Sequence, residues 1–251
     1  MKERVVVVTG GAQGIGYAIA KRFAEAGDFV AIADLNEEKA MQAARQLGDS
    51  ARGFRLDITD SSAISAFVKE LIEEKGQIDV LVNNAGLQHR DKIEDFPEEM
   101  WRQLIDVLLT GPFLMTKAVL PFMKERRNGR IINISSVHGE VATPEKSAYV
   151  SAKHGLLGFT KTAAIETATH GITVNAVLPG PVATDLLMRQ IHGLMNEHRL
   201  SEEEALAAVM YPRQPMQRFI QPEEIANTVF FLASEGAGAI TGEEISVSGG
   251  M

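Results

Sequence analysis

The chain has 251 residues, 45% of them apolar, and a formal net charge of −8. Those values suit a globular chain with a sizeable core, and the acidic balance argues against nucleic-acid binding, which needs a basic face. There is no cysteine, which excludes disulfides, thiolate metal sites and thiol catalysis.

Taken in chain order, the first apolar run is Arg4–Val8, followed at once by Thr9, Gly10 and Gly11. The flanking glycines make it a strand rather than the core of a helix. It is too short for a signal peptide or a membrane span, and no other stretch approaches about 18 apolar residues. No membrane association is expected, and a cytoplasmic location follows by default. Further strands are predicted at Phe29–Ala33, Ala51–Leu56, Asp79–Val82, Arg130–Ile134, Ile172–Val177 and Glu244–Val247. Amphipathic patterns between them predict helices at Gly14–Ala26, Glu37–Leu47, Ser61–Lys75, Pro97–Lys124, Lys146–Thr169 and Pro222–Ala233. This alternation implies right-handed βαβ units: a doubly wound α/β fold with a parallel seven-stranded sheet, helices on both faces, and a single domain over residues 1–251.

One segment breaks the rhythm. Residues 182–221 carry helical patterns at Leu186–Met195 and Ser201–Met210 and then Pro212 and Pro215, but no strand. An insertion after a strand's carboxyl end lies over the ligand crevice of such a sheet. It reads equally as a substrate lid or as a surface helical hairpin.

The first strand runs into Gly10, Gly11, Ala12, Gln13, Gly14, Ile15 and Gly16. Glycines here allow a tight turn and close approach of backbone to a pyrophosphate, and the next helix points its amides at the phosphates. The place between a strand and a helix is what lifts this motif above an ordinary turn. Asp34 ends the second strand, 18 residues past Gly16. It is either a turn or cap residue, or the carboxylate that accepts from both hydroxyls of an adenosine ribose. In the second case it repels a 2′-phosphate, and with Leu35 beside it and no Arg or Lys at Ala12-Gln13, NAD is expected over NADP.

Tyr149 and Lys153 stand at i and i+4, so on a helix they share a face. A free phenol has a pKa of about 10, and each unit of lowering needs about 1.4 kcal/mol. A neighbouring ammonium is expected to supply two or three such units together with a positive nicotinamide ring. Ser136 lies 13 residues upstream of Tyr149, where a strand ends, and can hold a substrate oxygen near the phenol. A Tyr-Lys pair alone occurs on many exposed helices by chance; with Ser136 and the glycine turn it is a specific pattern.

With these residues together, the chain resembles the short-chain dehydrogenase/reductase family along its whole length, as a Rossmann-type oxidoreductase. The matching stretches also include Asp57, Asn83-Asn84-Ala85-Gly86 and Pro179-Gly180 with Thr184. The resemblance implies catalytic Ser136, Tyr149 and Lys153. It implies cofactor contacts from Gly10, Gln13, Gly14, Ile15, Gly16 and Asp34, from Asp57 and Ile58 at the adenine, and from Asn83, Ala85 and Gly86 at the ribose. Pro179, Gly180, Val182 and Thr184 would lie at the nicotinamide, with Tyr149 and Lys153 also touching the cofactor.

Within the family the chain is most similar to D-3-hydroxybutyrate dehydrogenases. That likeness makes Gln88, His138, Lys146 and Gln190 the holders of a substrate carboxylate, a group that accepts only and so wants several donors and a cation. Singly, each has a bland reading as a solvated or loop residue. A homotetramer is implied, packed through the helices at 97–124 and 146–169, and no metal. Two departures stand out. Leu108 occupies the place of an Asn that props a kinked helix and a proton relay, and Pro181 the place of a Trp against the substrate methyl. A reductase of a 3-oxoacyl thioester, sugar or polyol, and a weakly catalytic NAD(H)-binding sensor, are the competing readings.

Overall fold

The structure is a computed structural model that describes residues 3–184, 187, 188, 191, 193, 195, 199–201, 204, 205 and 214–251. Seven strands, β1 (Val5–Thr9), β2 (Phe29–Asp34), β3 (Ala51–Arg55), β4 (Val80–Asn83), β5 (Gly129–Ile134), β6 (Ile172–Pro179) and β7 (Glu244–Val247), form one sheet. Its order is β3-β2-β1-β4-β5-β6-β7, every pairing parallel, as expected. The helices with named bounds among the described residues are α1 (Gly14–Ala24), α2 (Glu37–Leu47), α3 (Ser61–Lys75), α4 (Glu98–Ile105), α5 (Gly111–Arg126), α6 (Ser147–Thr167) and α7 (Pro222–Leu232).

The valine run of β1 shows why the strands read as unbroken apolar stretches. Successive side chains alternate between faces. Val6 and Val8 enter a core with Ile19 and Phe23 of α1 and Val229 of α7. Val5 and Val7 enter a second core with Ile64 and Leu71 of α3 and Met115 and Val119 of α5. Both faces are covered, so neither tolerates polar side chains.

The helix expected at Pro97–Lys124 runs without a break from Glu98 to Arg126, but not as α-helix throughout. Between α4 and α5 the chain makes a π-helical turn, Asp106–Thr110, an extra-residue turn that shifts the register of the helix beyond it. Leu108 sits on this turn and is fully buried. The run Glu98–Arg126 also contains an 18-residue window of mean hydropathy 1.4, a longer apolar stretch than the sequence reading expects. Its apolar side chains Met115, Val119 and Met123 are packed into the sheet core, the pattern of a core helix.

Past β6, Val182 pairs with Ile220 in an isolated parallel bridge. Ala183 N–H donates to Ile220 O and Ile220 N–H to Pro181 O, both at 2.9 Å, so the two ends of the inserted segment meet at its base. Half of the expected helix Leu186–Met195, most of Ser201–Met210, and Pro212 lie outside the described residues.

A buried polar chain ties α6 to the sheet. Asn83 Nδ2 of β4 donates to Asn133 Oδ1 of β5 at 2.8 Å, and Asn133 Nδ2 donates to Thr160 Oγ1 of α6 at 2.8 Å. All three residues are buried. Replacing Asn133 by Ala strands a donor on one side and an acceptor on the other, each costing about 1–3 kcal/mol. Urea unfolding of Asn133→Ala is expected to show a loss of about 3 kcal/mol; an unchanged midpoint would remove this chain as the strap of α6.

Candidate active site

A cleft of about 1040 Å³ opens along the carboxyl ends of the central strands. At its β1–β2 end lies the glycine turn. Gly10 has φ 61, and a Cβ there would come within 2.7 Å of Ala85 Cα. A Cβ on Gly16 would run into the Gly10 carbonyl and the Asn84 amide. Only glycine lets the turn, α1 and the loop after β4 approach so closely. Asn84 Nδ2 braces the turn by donating to the carbonyls of Thr9 and Gly10, each at 3.0 Å.

Gln13 precedes α1 but its side chain makes no cap, and no acidic residue lies in the first turn. The amides of Gly14, Ile15 and Gly16 have no intrahelical partner, and all three residues line the cleft. An uncapped helix start facing a cleft suits an anion. The Gln13 Oε1 instead accepts from Lys39 Nζ at 3.2 Å, so a lysine does stand near the turn, brought from α2 rather than from Ala12-Gln13.

Asp34 ends β2 at the cleft wall, accepting from Ala12 N at 3.3 Å and Asn36 N at 3.0 Å. Asp57 accepts from Thr59 N and Thr59 Oγ1, both on Oδ1, and these bonds hold its carboxyl below its ordinary pKa. Ile58, Ala85, Gly86, Pro179, Gly180, Val182 and Thr184 line the same cleft. Asn83 does not. Strand alternation turns its side chain into the buried chain with Asn133, and Asn84 takes the place at the cleft.

The reacting end is built where β5 meets α6. Lys153 Nζ donates to the Ile134 carbonyl at 2.7 Å. Burial pushes its pKa down to about 7. One turn earlier, Tyr149 shares a cluster with Leu104, Leu108, Ala148 and Ala152, and the amine lies 5.6 Å from its ring centre. Burial raises the phenol above its usual pKa, while a hydrogen bond with Ser136 pulls it the other way. Ser136 Oγ accepts from His138 N at 3.1 Å, which leaves the hydroxyl proton to be donated toward the phenol. The expected acidification counts on Lys153 together with a nicotinamide ring; burial of the two side chains by itself acts in the opposite direction. Burial works against both charges, and no acidifying contribution from Lys153 is resolved.

Beside them, Lys146 Nζ lies 3.4 Å from His138 Nε2, and Thr143 Oγ1 lies 3.4 Å from His138 Nδ1. An ammonium only donates, so Nε2 accepts from it and, in a neutral ring, the proton sits on Nδ1 facing Thr143. The His138 and Tyr149 rings meet edge-on at 6.0 Å. Lys146 is the N-cap residue of α6, outside rather than inside the first turn. Gln88, His138 and Lys146 all line the cleft; Gln190 lies outside the described residues.

Arg90, Thr143, Leu187, Leu200 and Met251 also line it, and no motif in the sequence points to them. Arg90 is joined to Glu145, whose φ of 65 is left-handed. Such a backbone costs a non-glycine residue about 1–3 kcal/mol. Pairing across 55 positions leaves no periodic signal in the sequence.

Comparison with known proteins agrees with this geometry. A family model described as Enoyl-(Acyl carrier protein) reductase matches residues 10–251. The uncharacterized oxidoreductase YxjF of Bacillus subtilis is 44% identical, covering 100% of this chain and 98% of its own. A D-beta-hydroxybutyrate dehydrogenase of Rhizobium meliloti is 41% identical, with 98% of both chains covered. The crystal structure of a single-residue variant of actinorhodin polyketide ketoreductase with NADPH superposes with a TM-score of 0.94 at 36% identity, over 99% of this chain and 97% of that one. The chain belongs to the short-chain dehydrogenase/reductase family: it is an oxidoreductase of a group that uses a nicotinamide cofactor.

The buried lysine makes a prediction about stability. Between about pH 7 and its ordinary value of 10.5, the unfolded chain keeps a proton on Lys153 that the folded chain has shed. Stability therefore rises with pH through this window, and the contribution is flat below it. Unfolding of the ligand-free protein between about pH 6 and 10 is expected to show that rise, and Lys153→Met to lack it. Parallel curves for the two proteins would contradict the burial of a titrating amine.

Proposed function

We propose that the protein is an NAD-dependent oxidoreductase interconverting a 3-hydroxy acid and a 3-keto acid, with D-3-hydroxybutyrate and acetoacetate as the favoured pair. The observation that carries this reading is the convergence of Lys146, His138 and Gln88 on the cleft that also holds Tyr149 and Ser136. A cation held by His138 and joined by an amide donor, beside a hydroxyl pair, fits a small carboxylate carrying an alcohol or ketone.

In the oxidation, Lys146 and Gln88 bind the carboxylate while His138 aims the Lys146 ammonium. Ser136 donates to the substrate oxygen and sets it against Tyr149. Tyr149, as phenolate, takes the hydroxyl proton. The nicotinamide cofactor supplies the acceptor for the hydride that leaves carbon, and the reverse transfer reduces the ketone. Lys153, beside the Tyr149 ring, would hold a ribose hydroxyl of the bound cofactor and, when protonated, favour the phenolate. Leu108 packs where the family resemblance places a polar relay residue, so no relay passes through a side chain at that position. No metal is required, since Ser136 and Tyr149 polarise the oxygen.

Cofactor choice follows from Asp34. A carboxylate at the end of β2 accepts from ribose hydroxyls and repels a 2′-phosphate, and Lys39 is engaged by Gln13. The segment over the cleft, with Leu187 and Leu200 in its lining, serves as the substrate lid. Exposed Phe113 on α5 and Ile165 on α6 favour a homotetramer packed through those helices, in the cytoplasm. A second reading, reduction of a 3-oxoacyl thioester or polyketide, is favoured by the likeness to the ketoreductase and by Pro181, which leaves the cleft wall there without a bulky ring.

A spectrophotometric screen with NADH and NADPH over 3-keto acids and their thioesters tests the proposal. Turnover of acetoacetate with NADH is expected. Tyr149→Phe is expected to lose at least about 10²-fold in kcat while still binding NADH. A preference for NADPH and thioesters would move the assignment to the second reading.

A further inference from the structure

We propose that Arg90 and Glu145 are positioning residues, a clasp between the loops after β4 and β5 that sets the separation of Gln88 and Lys146; this rests on Lys146 being the substrate cation. Arg90 lies two residues beyond Gln88, and Glu145 adjoins Lys146. Arg90 Nη2 donates to Glu145 Oε2 at 2.6 Å, and Asp91 N–H donates to the Glu145 carbonyl at 2.9 Å. One loop thus grips Glu145 at both its side chain and its backbone.

The grip explains the backbone. Glu145 has φ 65, a region that a glutamate occupies only where its surroundings hold it. Arg127, also left-handed, closes the end of α5, a common use of that conformation; Glu145 ends no helix. Exposed ion pairs add little to stability, and the Arg90 and Glu145 side chains are 35% and 40% exposed. Stability alone gives poor reason to hold a strained residue with such a pair. Placement of the next residue, Lys146, gives a better one. Inside the cleft, His138 then fixes the Lys146 head at 3.4 Å, so stem and head are held from two sides.

The pair also sets the charge of this end of the cleft. Arg90 lines it, but its charge is matched by Glu145. Arg90, Glu145 and Lys146 together sum to one positive charge, which fits a monoanionic carboxylate better than a phosphate.

Steady-state kinetics with acetoacetate and with its uncharged methyl ester test this. The proteins are wild type, Arg90→Met, Glu145→Gly, the exchange Arg90→Glu with Glu145→Arg, and Lys146→Ala. Glycine accepts the left-handed backbone but loses the ion pair. Arg90→Met and Glu145→Gly are each expected to raise KM for acetoacetate about tenfold, with kcat and KM for NADH within about twofold and the ester unaffected. The charge exchange is expected to recover most of that loss. If Lys146→Ala raises KM and the clasp variants do not, the clasp is wrong and the carboxylate reading stands. If Lys146→Ala leaves KM unchanged, the carboxylate reading itself fails. Loss in Arg90→Met that the exchange does not restore makes Arg90 a direct reader of substrate and overturns the clasp. Thermal unfolding of each variant separates these effects from loss of fold, and Glu145→Gly, which relieves strain, keeps the test open if Arg90→Met is unstable.

Discussion

The amine of Lys153, closed off from solvent and bonded to the Ile134 carbonyl, is the contact on which the rest of the site depends. It joins the carboxyl end of β5 to the middle of α6. Ser135 Oγ donates to the Lys153 carbonyl at 3.3 Å, so side chain and backbone of one residue are both tied to the same strand end. With α6 docked in this way, Tyr149 one turn earlier must project beside Ser136. The placement of phenol, hydroxyl and amine is thus a consequence of how one helix seats on one strand. It comes at the expense of burying an amine that would rather be neutral.

That burial has a functional side. A buried amine with its pKa near 7 and a phenol pushed upward describe a dyad at rest, in which the ionised forms are disfavoured. A nicotinamide cofactor bound in this cleft would supply an acceptor for the amine's protons and a positive charge that favours phenolate. Leu108 deepens the effect. On its π-helical turn it seals the Tyr149 side of α6 with hydrocarbon. At the far end of the cleft the electrostatic problem is opposite. Lys146 sits at the very start of α6, where the helix dipole disfavours a cation, and is steadied by His138, with Thr143 behind it.

Much of this was legible in the amino-acid sequence, for physical reasons that differ from place to place. The strands were readable because a sheet covered on both faces demands unbroken apolar runs, and Val5–Val8 is one. The glycine turn and the Tyr149–Lys153 pair were readable because their chemistry depends on short spacings. What escaped depended on distance or on orientation. The π turn at Asp106–Thr110 has the same apolar pattern as a straight helix. Asn83 and Asn84 are adjacent, and only the strand's alternation decides which faces the cleft. The left-handed Glu145 and its partner Arg90 belong to loops far apart in the chain. The charge state of the dyad escaped as well, since spacing reveals that Lys153 is near Tyr149 but not that the amine is buried and the phenol half-buried.

If Tyr149 is the acid/base group proposed above, its phenol stays protonated until a nicotinamide cofactor binds beside it. The chain has three tyrosines, so an ultraviolet difference titration of wild type against Tyr149→Phe isolates the one that matters. Without NAD, ionisation of Tyr149 is expected above about pH 10; with saturating NAD the midpoint is expected to fall by two units or more, about 3 kcal/mol of added preference for the phenolate. A midpoint that is the same with and without NAD, or already near neutral in the ligand-free protein, would contradict the account.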